Sequence, residues 1–229
     1  MKLTDAFIQY KTEIEPLFRP GLDPSNTLLL DLSGENENLK SLTFDNTQQL
    51  GDYIFRLMEK QGKVYACGGY MENRAVYQRS TLFGQTGEKA RSLHLGIDVW
   101  APANTPVYLP LDGKVHSYQH NDQFGDYGPT IIMEHHWQGH RFHTLYGHLS
   151  LQSLDGLQVN LPMQAGKLLC HIGDAPVNGD WPPHLHFQII TDMMNKWGDF
   201  PGVCTPDEAG YWKQICPNPS YFFENLNET

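Results

Sequence analysis

The rhythm of apolar and polar positions changes near residue 90. Before it, the apolar positions of "DNTQQLGDYIFRLMEKQG" fall at Leu50, Tyr53, Ile54, Leu57 and Met58. That is the i, i+3, i+4, i+7, i+8 spacing of an amphipathic helix. Asp45, with Gln48 three residues on, is the expected N-cap, and Gly62 is the expected stop. "NTLLLDLS" and "KVYACGGYM" read as strands. Residues 1–80 therefore predict a small α/β N-terminal extension with one helix near 46–61.

Residues 81–229 predict a different texture. "HLGIDVWAP", "TPVYLPLDGKVHSY", "GPTIIMEHHW", "HRFHTLYGHLS", "GKLLCHIG" and "HLHFQII" are short runs rich in Val, Ile, Tyr and Phe, separated by Gly, Pro, Asp and Asn. Such spacing marks an antiparallel β core. "EHHWQGH" falls where a hairpin turn belongs, with Gly139 as the turn residue. After Thr191 a loop-rich, aromatic tail packs back on the core. The fold class is mainly β.

The alternation in "HLHFQII" raises a chemical question. Residues i and i+2 of a strand share a face. Leu185, Phe187 and Ile189 make an apolar face bound for the core. His184, His186, Gln188 and Ile190 make the other, and two imidazoles there need a purpose. In "HLGIDVWAP", His94 and Asp98 lie four apart, and Gly96, Ile97, Val99 and Pro102 favour a strand over a helix. Even spacing puts both on one side of that strand. Neighbouring strands can then bring His94, Asp98 and one of His184/His186 to one point. Two imidazoles and one carboxylate, with a fourth position open, form a catalytic zinc set.

Charge and composition narrow the function. The 229 residues include 16 Lys and Arg against 26 Asp and Glu, a net charge of −10. No basic cluster stands out, so neither nucleic acid nor an anionic membrane surface is an expected partner. No apolar run is long enough for a bilayer. The N-terminus lacks a secretory h-region, so the expected location is cytoplasmic, or periplasmic or secreted if the native start lies elsewhere. Cys67, Cys170, Cys204 and Cys216 form no CxxC pair and are expected to be reduced thiols. Nothing in the sequence addresses oligomeric state.

"HLGID", "YGHLS" and "PPHLHFQ", in that order, resemble the M23 (lysostaphin/LytM-type) zinc metallopeptidases, with their H-x-x-x-D and H-x-H motifs. The resemblance covers roughly His94 to Ile190. It implies a core of the duplicated hybrid-motif type. "DYGPTIIMEH", "NGDWPPHLHFQ" and "DFPGVCTP" extend a likeness over roughly residues 70–223. That wider likeness is to the M23-like module found in multidomain proteins between a kinase-like domain and a class III aminotransferase domain. Residue by residue, the resemblance implies that His94, Asp98 and His186 hold one Zn2+ and that His148 and His184 are catalytic. It implies hydrolysis of a peptide bond in a peptidoglycan cross-link or related peptide. A small peptide or amide substrate is the rival enzymatic reading, and a non-catalytic binding or regulatory module is the rival of another class. A closed structural zinc site would need a fourth ligand, with Cys170 or His171 nearest in sequence.

The remaining residues are expected to be quieter. His143 lies five residues before His148, on the opposite strand face. His116, His120, His135, His136, His140 and His171 read as surface or hydrogen-bonded structural histidines. Trp181, just before the histidine strand, is expected either to wall the substrate groove or to plug the fold. The N-terminal extension contains no residue that sequence singles out for the site; it is expected to cover the back of the sheet, or else to lie across the cleft and keep the enzyme latent.

Overall fold

A computed structural model describes residues 1–41, 46–74, 76–77 and 90–223. Its centre is an eight-stranded sheet in the order β1-β2-β4-β11-β8-β7-β6-β9. The strands are β1 (Thr27–Leu30), β2 (Tyr65–Gly68), β4 (Ile97–Trp100), β6 (Gly113–Asn121), β7 (Gly128–Trp137), β8 (His140–Gly147), β9 (Pro162–Met163) and β11 (His184–Ile190). β1 and β2 run parallel to each other, and every other pairing is antiparallel. Two small antiparallel pairs flank it. One joins β5 (Pro106–Tyr108) to β10 (Leu168–His171), the other β3 (Leu93–His94) to β12 (Val203–Cys204). The described α-helices are α1 (Leu3–Gln9), α2 (Thr47–Lys60) and α3 (Ala209–Ile215), and short 3-10 turns lie between the elements.

The alternation in "HLHFQII" is realised as the periodicity requires. Leu185, Phe187 and Ile189 are fully buried in the main core, with Val107, Leu109, Leu149 and Ile172 from beneath the sheet. Phe187 also packs edge-on against Tyr146, ring centroids 5.4 Å apart. The hairpin between β7 and β8 turns on Gln138 and Gly139, both with positive φ (50° and 77°). That is the two-residue turn whose twist matches antiparallel strands, and glycine bears the second position without strain.

The helix lies at its expected place, with Leu50, Ile54 and Met58 buried. Its N-cap is Asn46, whose side chain accepts from the Gln49 amide at 3.1 Å. The expected cap, Asp45, lies outside the described residues. At the other end the Lys63 amide donates to the Met58 carbonyl and the Gly62 amide to Glu59, closing the helix as a C-terminal cap does. The apolar stripe meets Leu30, Leu32, Ala66, Trp100 and Trp181. The first part of the N-terminal segment covers the back of the sheet as expected, with Phe7, Leu17, Phe18 and Leu22 packed in the core beside Phe187 and Ile189. β1 and β2 lengthen the sheet beyond β4, and α2 packs on the face that carries the histidines. All four cysteines are buried and free.

Candidate metal centre

Register sets the geometry. β11 lies between β4 and β8, and His186 stands directly opposite Asp98 on one side and Gly147 on the other. His184 stands opposite Trp100 and stacks on it, centroids 5.4 Å apart. His94 arrives differently from the sequence expectation. It does not share a strand with Asp98. β3 ends at His94 and pairs with β12, and the chain turns through Leu95 and Gly96 before β4 begins. Gly96 is required there, because a Cβ would lie 2.7 Å from the His186 ring and from the Phe187 carbonyl oxygen. The bend, rather than strand parity, swings His94 onto the His186–Asp98 pair.

Three ligand-type atoms now face one another. His94 Nε2 is 2.9 Å from His186 Nδ1, His186 Nδ1 is 3.0 Å from Asp98 Oδ1, and His94 Nε2 is 3.2 Å from Asp98 Oδ1. The outer nitrogens are already committed. His94 Nδ1–H donates to the Gly69 carbonyl at 3.1 Å, and His186 Nε2–H donates to Gln188 Oε1 at 2.9 Å. Gln188 is itself held, its amide donating to the Pro201 carbonyl and Cys216 Sγ. In those tautomers two bare nitrogens and a carboxylate oxygen converge with no proton among them. Such a set repels itself until a cation sits in its midst. The spacings approach the roughly 3.3 Å edge of a tetrahedron with ~2 Å zinc bonds. Among the described residues, His94, Asp98 and His186 are the cluster able to hold a metal ion, and all are buried. Cys170 faces the opposite core.

His184 and His148 stand beside this trio. His184 Nδ1–H donates to the Pro182 carbonyl at 2.7 Å, and His148 Nδ1–H donates to the Asn178 carbonyl at 2.8 Å. Each keeps Nε2 as an acceptor. Their rings lie 4.2 Å apart, and His184 Nε2 is 3.9 Å from Asp98 Oδ2. His148 follows β8 in a left-handed conformation (φ 62°), a local strain of the kind that aims functional side chains. Burial lowers the pKa of both rings, so each is neutral near pH 7. Burial pushes His94 down to about 3, and the Arg74 charge adds to it. For Asp98 burial works upward, but His94 and Arg74 overrule it and hold the carboxyl well below its usual range.

Arg74 is the site residue that sequence reasoning missed. Its side chain is 2% exposed, with Nη1 bonded to Asp98 Oδ2 and Nε 2.6 Å from Glu72 Oε2. It lies at the end of the extension, outside every motif, and only the folded chain brings it to Asp98. Leu32, Leu50, Val76 and Tyr77 come from the same segment and, with Trp181, line the cavity over the centre, about 260 Å³ in volume. Trp181 lies between the helix and the cavity. It is buried in the α2 cluster and also walls the cavity, with His148 and His184 at ring distances of 6.1 and 6.4 Å.

A His–Asp–His ligand set on an antiparallel sheet, with two neutral imidazoles beside it, has the form of a hydrolytic metal site. Residues 92–196, which carry all five side chains, match the sequence model of peptidase family M23. A DD-carboxypeptidase/endopeptidase Mpg of Neisseria meningitidis serogroup B is 30% identical over 135 residues, 57% of this chain and 29% of that protein. Its counterpart in Neisseria gonorrhoeae is 30% identical over 125 residues, 53% of this chain and 26% of that protein. The chain thus spans less than a third of the curated relatives it matches. Among solved structures, a zinc-containing peptidase from Vibrio cholerae is 25% identical (TM-score 0.35), covering 47% of this chain and 30% of that one. The lysostaphin catalytic domain from Staphylococcus simulans is 21% identical (TM-score 0.36), covering 53% and 80% respectively.

Proposed function

We propose that this protein is a zinc-dependent peptidase that hydrolyses a peptide bond in a peptidoglycan cross-link or related peptide. The observation that carries the reading is the convergence of three lone-pair donors beside two histidines whose free Nε2 atoms face the same cavity. In this reading His94, Asp98 and His186 hold the zinc, and His148 and His184 are catalytic. Bound there, zinc supplies Lewis acidity, polarising a carbonyl oxygen and lowering the pKa of water.

The protein's own groups move the proton. His184 is neutral, oriented by Pro182, and accepts the proton of the attacking water at Nε2. Water's oxygen bonds to the scissile carbonyl carbon, the C–N bond breaks, and the proton passes to the departing amine. His148, oriented by Asn178, is the second proton carrier at that face of the substrate. Positioned bases of this type contribute about 100- to 10,000-fold to rate. The five side chains are each no more than 6% exposed. That burial, together with the size of the cavity, favours a short peptide segment at the centre.

The test is a cleavage assay read by mass spectrometry. Zinc-loaded protein meets purified wall peptides, their recycling fragments and a mixed peptide library, with His184→Ala as the blank. Products that require His184 are expected. A zinc-loaded protein that cleaves none of them overturns the peptidase reading.

A further inference from the structure

The stretch that follows β2 lies outside residues 92–196, yet it wraps two of the three ligand-type side chains. Gly68 ends β2 directly opposite Asp98. From there the chain crosses His94. The His94 ring donates from Nδ1 to the Gly69 carbonyl at 3.1 Å. The His94 amide donates to the Glu72 carbonyl at 3.0 Å, and its carbonyl accepts from the Met71 amide at 2.7 Å. Met71 takes a positive φ (59°) within this turn. The Arg74 amide then donates to the Ser92 carbonyl at 2.9 Å. Backbone bonds on both sides of His94 thus deliver Arg74 to the centre.

The guanidinium is held from several sides. Nε donates to Glu72 Oε2 at 2.6 Å, and Glu72 Oε1 accepts from the Leu32 amide at 2.9 Å, so the anchor is itself anchored. Nη1 donates to Asp98 Oδ2 and, at 3.2 Å, to the Tyr77 hydroxyl. Gly68 leaves the room for it. A Cβ there would lie 2.9 Å from Arg74 Nη2 and 2.8 Å from the Trp100 ring. Asp98 is thereby divided. Oδ1 faces His94 Nε2 and His186 Nδ1, while Oδ2 faces the guanidinium. A carboxylate can give a cation one oxygen or two. This one has a single oxygen left to give.

We propose that Arg74 is a positioning residue of the metal centre, which confines Asp98 to one ligand oxygen and withdraws negative charge from it. The inference rests on the zinc reading of the centre. One oxygen from Asp98 and one nitrogen from each histidine make three protein ligands, which leaves a fourth position for water or substrate. The guanidinium also weakens the hold of the carboxylate on a cation, so the ion keeps more of its Lewis acidity. The N-terminal extension is then part of the catalytic unit rather than an appendage to it. The sign of the effect separates this role from simple support. Removing an ordinary outer partner weakens metal binding. Removing the Arg74 charge strengthens it.

The test measures affinity and coordination. Full-length wild type, Arg74→Met and Arg74→Lys are stripped of metal and titrated with Zn2+ against a chromophoric chelator. Each is then loaded with Co2+ for its visible spectrum. Wild type is expected to show the intense absorption of four-coordinate cobalt. Arg74→Met is expected to bind Zn2+ roughly tenfold more tightly, the scale of repulsion between a unit and a divalent charge a few ångströms apart even at the dielectric of water. Its cobalt absorption is expected to weaken as Asp98 gives its second oxygen. Arg74→Lys keeps the charge and is expected to stay near wild type in affinity. Circular dichroism confirms that each variant is folded. Arg74→Gln, which keeps a donor for Asp98 without the charge, replaces an Arg74→Met that does not fold and is expected to shift affinity in the same direction. Zinc affinity that falls or stays unchanged on loss of the charge, or a five-coordinate cobalt spectrum in wild type, overturns the assignment. A wild type that binds no zinc overturns it together with the zinc reading. Tighter zinc in Arg74→Met, in a protein that cleaves no peptide, leaves the assignment standing and removes only the peptidase reading.

Discussion

The central strands and the N-terminal segment reach the same cavity by different physics. β4 and β11 contribute Asp98 and His186 through alternation and register alone, as direct cross-strand partners. Their opposite faces are buried core, so a slip by one residue would drive the imidazoles inward and Phe187 out. The N-terminal segment contributes Arg74 with no such periodic signal. Its guanidinium compensates the buried carboxylate that the strands have placed there. The strands thus set where the donors lie, and the added segment sets the charge around them.

Removing the strand-borne carboxylate is the severest break. Asp98→Ala is expected to abolish metal at the centre, read by elemental analysis, and with it any peptide cleavage. Metal retained in stoichiometric amount at that centre would show that the histidines suffice without it.

Arg74→Met tests the other partner. It leaves Asp98 and Glu72 without their shared cation, and breaking a buried pair costs about 3–5 kcal/mol. Denaturant unfolding of the metal-free protein should show a loss of that order. Adding zinc should shrink the loss, because the cation replaces the missing charge at Asp98. An equal loss with and without zinc would mean that Arg74 serves packing alone.

A finer test concerns Gln188, on the same strand face. Gln188→Leu removes the acceptor that fixes the His186 tautomer. A drop of roughly 10- to 100-fold in zinc affinity is expected, as for other outer-shell partners. Calorimetry showing unchanged affinity would sever Gln188 from the centre.

The smallest effect lies away from the metal centre. Burial lowers the pKa of His135 to about 4, although its bond to the Asp112 carbonyl works upward. The folded state keeps this ring neutral while the unfolded chain titrates near 6.5, so the unfolded state binds more protons between those values. Stability from this group is present above pH 6.5 and is lost as pH falls toward 4. His135→Gln should therefore flatten the fall in stability below neutrality. Parallel pH–stability curves for variant and wild type would contradict the assignment.

Much of this site was legible beforehand because strands write their faces at a period of two. The "HLHFQII" alternation identified the apolar core face and the histidine face, and the amphipathic spacing located α2. The motifs singled out His94, Asp98, His148, His184 and His186, and the fold brings these five together, the last four lining one cavity and His94 behind them. The route taken by His94 was not legible. Even spacing from Asp98 suggested one continuous strand, whereas a bend at Gly96 and pairing with β12 carry it in. Asn46 instead of Asp45 caps the helix, a shift of one residue that propensity does not resolve, since both side chains cap well.

The sequence by itself determined the elements whose residues interact with near neighbours along the chain. Those are the amphipathic helix, the alternating strands, the β7–β8 turn and the order of the histidine motifs. The tertiary structure alone decided what meets across long separations. It brought Arg74 to Asp98, placed Trp181 and Tyr77 over the centre, and set the Gly69 carbonyl against His94. No local periodicity encodes those meetings. They follow from strand order and from the cost of leaving charges and imidazoles buried without partners.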